Sequence, residues 1–224
     1  MLIWLAVTAF AAVTPPSYEL MVVQEAMYAL NQEMDLADDA TDSAERREHL
    51  IQSVDFSGHF QRLVTQSAMI ERIKCIALQQ LDLTGEALDS CLHATTLPLH
   101  GLASWTPFYQ LGIVQLKAGK FVNAKESFQA SVQRMDPSKT DVEWRQLAHM
   151  KLAKLAAQMQ DSAMLDQSLK AAMKAGYSLD LASCDPEWRQ LYSVETNRKV
   201  LDRIFSVYSE PRSLERLRGA VECP

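Results

Sequence analysis

The sequence predicts an all-α protein, and three observations support this prediction. Glycine is scarce, with 7 residues in 224, whereas tight β-hairpins depend on it. Strong helix formers dominate, chiefly Ala, Leu, Met, Gln, Glu and Lys. Apolar residues recur at steps of three and four, as in Leu20, Val23, Met27 and Leu30. With 48% apolar and 22% charged residues, the chain is globular rather than disordered or collagen-like.

The first half of the chain predicts four helices. The stripe beginning at Leu20 gives a helix over 18–36, which the acidic stretch 35–42 ends. Asp42 or Ser43 caps a second helix over 43–54. A third helix is expected over 56–82, with Gly58 as a possible early break, and a fourth over 84–95, before Pro98.

The second half predicts further helix pairs joined by short polar turns. Asp136-Pro137-Ser138 separates two of them, and Gly176 is expected as a left-handed C-cap. No segment is a convincing β-strand. The predicted helices are 104–118, 121–134, 141–158, 161–175, 186–206 and 211–219.

An apolar run without charge occupies residues 2–13 and is followed by Pro15-Pro16. It is shorter than the roughly 20 residues of a membrane span but fits the core of a secretory signal. We therefore expect 1–17 to be a signal peptide, and the protein to be periplasmic or secreted with no stable membrane span after processing. No basic residue precedes the run, so a docked N-terminal segment of a cytoplasmic protein stays an alternative.

Charge divides the chain unevenly. Residues 1–60 hold ten acidic and two basic side chains, and 61–224 hold eighteen and twenty. A nucleic-acid-binding protein usually presents a basic face, so no nucleic-acid partner is expected. Residues 18–62 are assigned as an acidic N-terminal helical region.

A repeat pattern is clearest over 105–137. Two small residues, Gly112 and Ala124, allow two helices to approach, and Gly119 permits the turn between them. Large side chains fill the space between helices. The remaining pattern positions are Phe108, Leu111, Phe121, Phe128 and Ser131. This pattern resembles the tetratricopeptide repeat (TPR), a helix-turn-helix unit of about 34 residues.

A second unit is expected over 146–176, where Leu152-Ala153 correspond to Leu111-Gly112. Gly112 and Ala153 are 41 residues apart, so we expect the first helix of this unit to be elongated around Val142 and Trp144. A weaker unit covers about 68–98. The repeats are assigned to 63–176, and 177–224 is similar to the capping helices that close such arrays.

The resemblance implies a short right-handed superhelix whose groove, lined by the first helix of each pair, binds a protein or peptide. Carried over to this sequence, the groove positions are Thr106, Tyr109, Ile113, Leu116, Lys117, Met150 and Lys154. The alternative for each is ordinary packing between helices, above all for Ile113, Leu116 and Met150.

Two cysteines are candidates for a disulfide. If residues near 83–84 form the turn of a helical hairpin, Cys75 and Cys91 lie at nearly the same level on its two helices. A bond there depends on export, and two small buried thiols are the alternative.

No motif indicates chemistry. The five histidines are dispersed, and neither a phosphate-binding loop nor a nucleophile elbow is present. We therefore expect no catalytic residue, cofactor or metal, and we interpret the chain as a non-catalytic interaction module, an exported adaptor or assembly factor whose partner and oligomeric state stay open. Two alternatives are a structural or regulatory subunit that contacts its partner through the acidic N-terminal helices, and an enzyme with an unrecognised site.

Overall fold

The computed structural model describes residues 18–63, 67–136, 141–220 and 222. Within these ranges all regular structure is helical, which confirms the predicted fold class. In the same ranges, no helix combines the length and apolarity needed to cross a bilayer. The expected signal peptide over 1–17 lies outside the described residues. The helices are α1 (Tyr18–Asp39), α2 (Ser43–Leu63), α3 (Ala68–Gln80), α4 (Thr84–Ala94), α5 (Thr106–Lys117), α6 (Phe121–Arg134), α7 (Val142–Gln158), α8 (Ser162–Lys174), α9 (Leu179–Ala182), α10 (Pro186–Tyr192), α11 (Glu195–Tyr208) and α12 (Pro211–Leu217).

Consecutive helices pack as four hairpins, α1/α2, α3/α4, α5/α6 and α7/α8. The second helix of each hairpin packs on the first helix of the next, and α1, α3 and α5 are neighbours along one face. We call this face, continued by α7, the inner face. The first two hairpins lie before residue 100, a region where the repeat pattern is weak.

One pair of positions recurs in every hairpin. The first member lies five residues before the end of the first helix, and the second lies seven residues after the start of the next. In α5/α6 these positions hold Gly112 and Phe128, which are in direct contact. The corresponding pairs are Met34 and Leu50, Cys75 and Cys91, and Ala153 and Leu169. A small residue facing a large one, or a covalent bond, sets how closely the last three helix pairs approach.

Cys75 and Cys91 are joined by a disulfide, with their Cα atoms 5.3 Å apart. The bond links α3 to α4 at the level expected from the hairpin geometry. Both residues are buried and contact Leu78, Ala87 and Leu111. The disulfide therefore occupies the same place in its hairpin as the contact of Gly112 with Phe128 in the next.

The repeat pattern residues occupy the expected interior, with one exception. Gly119 forms the turn before α6 with a φ of +71°, and Phe108 lies under the guanidinium of Arg134, 3.9 Å from the ring centre. Phe121, at the start of α6, is 38% exposed instead of buried. The buried members are Leu111, Gly112, Ala124, Phe128, Ser131, Leu152 and Ala153.

The turn after each of the last three first helices contains a left-handed residue two positions beyond the helix. These residues are Asp82 (φ 62°), Gly119 (φ 71°) and Gln160 (φ 58°). Glycine takes this conformation without strain, whereas Asp and Gln do so at a cost. The turn geometry therefore recurs in these three hairpins even where the sequence signal for it is missing.

The prediction of a helix break near residue 55 was wrong. Helix α2 continues through Gly58 to Leu63, and α3 begins at Ala68 after the extended residue Ser67. A glycine inside a helix costs only about 1 kcal/mol, and α2 packs along both α1 and α3. Residues 64–66 of the expected third helix lie outside the described residues.

The closing region also differs from its prediction, because 186–206 forms two helices instead of one. The buried side chain of Asn197 donates to the carbonyl oxygens of Leu191 (3.1 Å) and Ala157 (3.0 Å). These bonds hold the corner between α10 and α11 against α7. Trp188 and Leu201 are buried in the core they cover, as expected for a capping segment.

Candidate functional site

The inner face contains the groove positions that the repeat pattern indicated, but most of them do not offer free side chains. Thr106 and Met150 are 8% and 5% exposed, so most of each side chain belongs to the packing between helices, which was the alternative for these positions. Ile113 and Leu116 are half-buried against the main core. The helices around these positions are α3, α4 and α6 for α5, and α6, α8 and α10 for α7.

The two lysines proposed for the groove are held by ion pairs within the protein. Nζ of Lys117 lies 2.6 Å from Asp82 and 3.0 Å from the carbonyl oxygen of Gln79. It thus adds a second donor to a carbonyl oxygen at the end of α3, which also accepts from the backbone N–H of Asp82. Lys117 therefore joins two successive hairpins, and a partner would compete with Asp82 for its charge.

Lys154 joins α7 to the capping segment. Its Nζ lies 2.6 Å from Asp185 and 2.5 Å from Glu187, and 5.9 Å from the ring centre of Trp188. Burial lowers the pKa of Lys154, but the hydrogen bonds from its Nζ to both carboxylates outweigh burial and raise it. The side chain is 14% exposed and acts as a clamp for the cap.

Tyr109 lies in a cluster of aromatic rings on the inner face. Its ring centre lies 5.7 Å from those of Phe128 and Trp144, and the rings of Trp105 and Trp144 are 5.2 Å apart. Burial raises the pKa of Tyr109. Trp144 is 41% exposed, so the cluster presents an aromatic surface to solvent.

The elongation of α7 brings Trp144 into this cluster. Helix α7 begins eleven residues before Ala153, whereas α5 begins six residues before Gly112. The additional residues extend α7 past the start of α5, where Trp144 meets Trp105 and Tyr109. The elongation expected from the long repeat spacing is therefore present, and it changes the surface of the inner face.

A recess of about 250 Å³ opens beside these rings. We call it the Arg72 recess. Side chains of α3, α5 and α7 converge on it, and Arg72 contributes its positive charge. The lining residues are Arg72, Leu102, Trp105, Thr106, Tyr109, Gln110 and Trp144. Sequence reasoning named only Thr106 and Tyr109 here. Arg72 could have been found, because it precedes Tyr109 by the 37 residues that separate Cys75 from Gly112.

A second, wider recess of about 470 Å³ follows the inner face toward the cap. Ile113, Leu116 and Lys117 line it together with Gln79 of α3, Lys151 and Gln158 of α7, and Glu187 of the cap. Its apolar floor and mixed charges suit an extended protein segment better than a small molecule.

A buried carboxylate lies at the contact of α2, α3 and α4. Glu71 accepts hydrogen bonds from Ser90 Oγ (2.6 Å) and from the side-chain amide of Gln61, and His93 Nδ1 lies 3.3 Å away. These bonds satisfy the carboxylate within the protein. Within the described residues, no group of three or more His, Cys, Asp or Glu side chains is arranged to hold a metal ion.

Two solved structures share this arrangement of helices. The first is YrrB, a TPR protein described as having an unusual peptide-binding site, with a TM-score of 0.57 and 15% identity over 91% of this chain and 97% of that one. The second is a tetratricopeptide repeat protein from Parabacteroides merdae, with a TM-score of 0.50 and 13% identity over 88% and 85% of the two chains.

No protein-family model matches the sequence, and no curated protein matches it. Three observations lead to the same conclusion. The hairpins stack on one another, small residues face large ones between their helices, and both solved structures are similar to the chain. The chain is a helical-repeat protein with the tetratricopeptide-repeat fold.

Proposed function

We propose that the protein is a non-catalytic interaction module that binds an extended segment of a partner protein along its inner face. The observation that carries this proposal is the cluster of Trp105, Tyr109 and Trp144, which lines the Arg72 recess on the inner face and leaves Trp144 41% exposed. Exposed aromatic rings are typical of interaction surfaces. YrrB, which has a similar fold, is described as having an unusual peptide-binding site.

We further propose that the protein works as an adaptor or assembly factor outside the cytoplasm. The disulfide between Cys75 and Cys91 supports this location, and Cys184 is disulfide-bonded as well. Such bonds persist in oxidising compartments. Sequencing the N-terminus of the mature protein tests the proposal: a start beyond residue 10 supports export, and an intact Met1 contradicts it.

A second candidate is a subunit that contacts its partner through the acidic N-terminal helices. Tyr18, Met21 and Tyr28 are exposed on α1 by 71%, 51% and 73%. Large apolar side chains grouped on an acidic helix can form a contact surface. The two candidates place the partner on different faces of the protein, so surface variants distinguish between them.

The test begins with a partner identified by mild crosslinking, affinity capture and mass spectrometry. Binding of the purified partner is then measured for Trp144→Ser on the inner face and for Tyr28→Ser on α1. Loss with Trp144→Ser alone supports the inner face, and loss with Tyr28→Ser alone supports the N-terminal helices. Circular dichroism confirms that both variants are folded. Unchanged binding of both variants contradicts both candidates.

A further inference from the structure

Helix α1 forms the first end of the array and carries large apolar side chains on its outer side. Tyr18, Met21 and Tyr28 are 71%, 51% and 73% exposed, and Leu36 is 42% exposed. These four residues, which we call the head surface, recur at steps of three, seven and eight. They therefore share the side of α1 that faces away from α2 and α3. A terminal repeat usually has a polar outer side instead, because nothing stacks on it.

The head surface lies on a strongly acidic helix. Between Tyr18 and Asp39, α1 contains six acidic side chains and no basic one. Two copies that met α1 to α1 would bring like charges together, and such a contact is unfavourable. A partner that covers the head surface must therefore combine basic side chains with apolar ones.

The other end of the array presents this combination. Helix α11 packs on α8 in the way that α3, α5 and α7 pack on the second helices before them, so its outer side closes the stack. Lys199, Arg203 and Val207, which we call the tail surface, recur at steps of four on that side. Their side chains are exposed by 76%, 62% and 66%. Together, α11 and α12 contain five basic and three acidic side chains.

The two basic residues of the tail surface form ion pairs that a partner can replace. Lys199 lies 3.1 Å from Glu195, and Arg203 lies 2.7 Å from Asp166. Ion pairs at an exposed surface contribute little to stability. An acidic helix that approaches this end therefore gains electrostatic attraction at little cost to the fold.

We propose that a second copy of this chain covers the head surface with its tail surface, so that copies associate head to tail. The acidic groups of α1 face Lys199 and Arg203, and its apolar side chains pack beside Val207. An interface between two different surfaces leaves one of each free, so the assembly grows beyond a dimer into an open chain or a ring. The contact does not involve the inner face, so this inference goes beyond the proposed function and does not rest on it.

The small size of the contact predicts a weak association. The head surface extends over about 27 Å of a helix that is about 10 Å wide. A stable interface buries about 800 Å² on each partner, which is more than a strip of this size offers. We therefore expect a dissociation constant on the order of 0.1 mM.

Sedimentation equilibrium of the full chain measures this association through the average molecular mass. We expect nearly the mass of one chain at about 10 µM and more than the mass of two chains at about 0.5 mM. Raising the NaCl concentration from about 50 mM to about 0.5 M should weaken the association at least about threefold, because salt screens the charges.

Surface variants test the two ends separately. Tyr28→Lys alters the head surface, and the double variant Lys199→Glu/Val207→Ser alters the tail surface. Each should weaken self-association at least about tenfold, because each places like charges in the contact. The matched controls are Leu92→Lys and Lys120→Glu, which change exposed residues away from both ends and should associate as the wild type does. Circular dichroism checks that all variants are folded.

Mixing the two altered proteins tests the head-to-tail arrangement itself. The Tyr28→Lys protein keeps an intact tail surface, and the Lys199→Glu/Val207→Ser protein keeps an intact head surface. At about 0.5 mM each should be mainly monomeric alone, whereas their mixture should contain one-to-one dimers that do not grow further. A contact between two α1 helices would give no such dimer, because only one of the two proteins has an intact head surface.

Three results would overturn the inference. The first is the mass of one chain at about 0.5 mM; if Tyr28→Ser then abolishes binding of the identified partner, the head surface belongs to the second candidate function. The second is an equal loss of association with Tyr28→Lys and Leu92→Lys, which indicates non-specific contact of apolar side chains. The third is association that the tail variant leaves unchanged, which assigns another occupant, such as residues 1–17, to the head surface. None of these results affects the partner test with Trp144→Ser on the inner face.

Discussion

Gly112 and Phe128 are so close that a Cβ atom at position 112 would lie 2.8 Å from Cε1 of the phenylalanine ring. The ring is fully buried and cannot move away without disturbing the core. Helices α5 and α6 approach closely because position 112 has no side chain. This contact has its counterpart in the disulfide of the preceding hairpin.

Replacing Gly112 with alanine should therefore destabilise the protein. Overpacking costs about 1–3 kcal/mol, whereas alanine recovers about 1 kcal/mol of helix propensity. Gly58→Ala is the matched control, because Gly58 is also inside a helix and its Cβ would meet nothing within 4 Å. Urea denaturation should show Gly58→Ala to be stabilised and Gly112→Ala to be less stable than that control by at least about 1 kcal/mol. Equal stability of the two variants would contradict the close approach.

The disulfide between Cys75 and Cys91 should be present in the non-reduced protein. Trypsin does not cut between these residues, because no Lys or Arg lies within 75–116. The peptide 75–117 should therefore resist alkylation until it is reduced, as mass spectrometry can show. Two alkylated cysteines in this peptide before reduction would disprove the bond.

Removing that bond should lower stability without changing the fold. Closing a loop of about 15 residues contributes about 3 kcal/mol in the chain-entropy description, and the separation here is 16 residues. Cys75→Ala/Cys91→Ala should lose a comparable amount in urea denaturation while its far-UV circular dichroism stays the same. A loss below about 0.5 kcal/mol would mean that the bond barely restricts the unfolded chain.

The left-handed turn residues offer a stabilising substitution. Gln160→Gly should raise stability by about 1 kcal/mol, because glycine adopts a positive φ without the strain that other residues incur. Asp82→Gly should gain less, since it relieves the same strain but loses the ion pair with Lys117. Thermal unfolding of both variants checks this order, and a destabilised Gln160→Gly would contradict the geometry of the turn.

The clamp between Lys154 and the cap should make stability depend on pH. Burial opposes the ionisation of Asp185, but hydrogen bonds from Lys154 and from the N–H of Glu187 lower its pKa below the ordinary value. The clamp therefore stabilises the fold above the ordinary Asp pKa of about 3.9, and this contribution is lost as the pH falls through the lower pKa of the folded state.

Lys154→Met retains most of the side-chain volume and removes the charge. Near pH 7 it should be less stable than the wild type by about 1–2 kcal/mol, since the pair is partly exposed. In urea titrations the difference should shrink between pH 5 and pH 2.5. A difference that stays constant across this range would show that packing, not charge, makes Lys154 important.

Much of the fold follows from local patterns in the sequence. Three of these patterns act between neighbouring segments and therefore predict the hairpins and their register. They are the stripe of apolar residues, the small residues Gly112 and Ala124, and the turn at Gly119. The same reasoning placed Cys75 opposite Cys91. It failed at Gly58, because one glycine opposes a helix only weakly and did not end α2, which packs on both α1 and α3.

The surface of the inner face depends instead on how the hairpins stack. The sequence alone determined that paired helices exist and which side chains face each other within a pair. Only the tertiary structure decided that Asp82 and Glu187 neutralise Lys117 and Lys154, and that Arg72 lies beside Trp144 in one recess. Those relations join residues of different hairpins, whose rotation and spacing depend on the packing of many side chains at once.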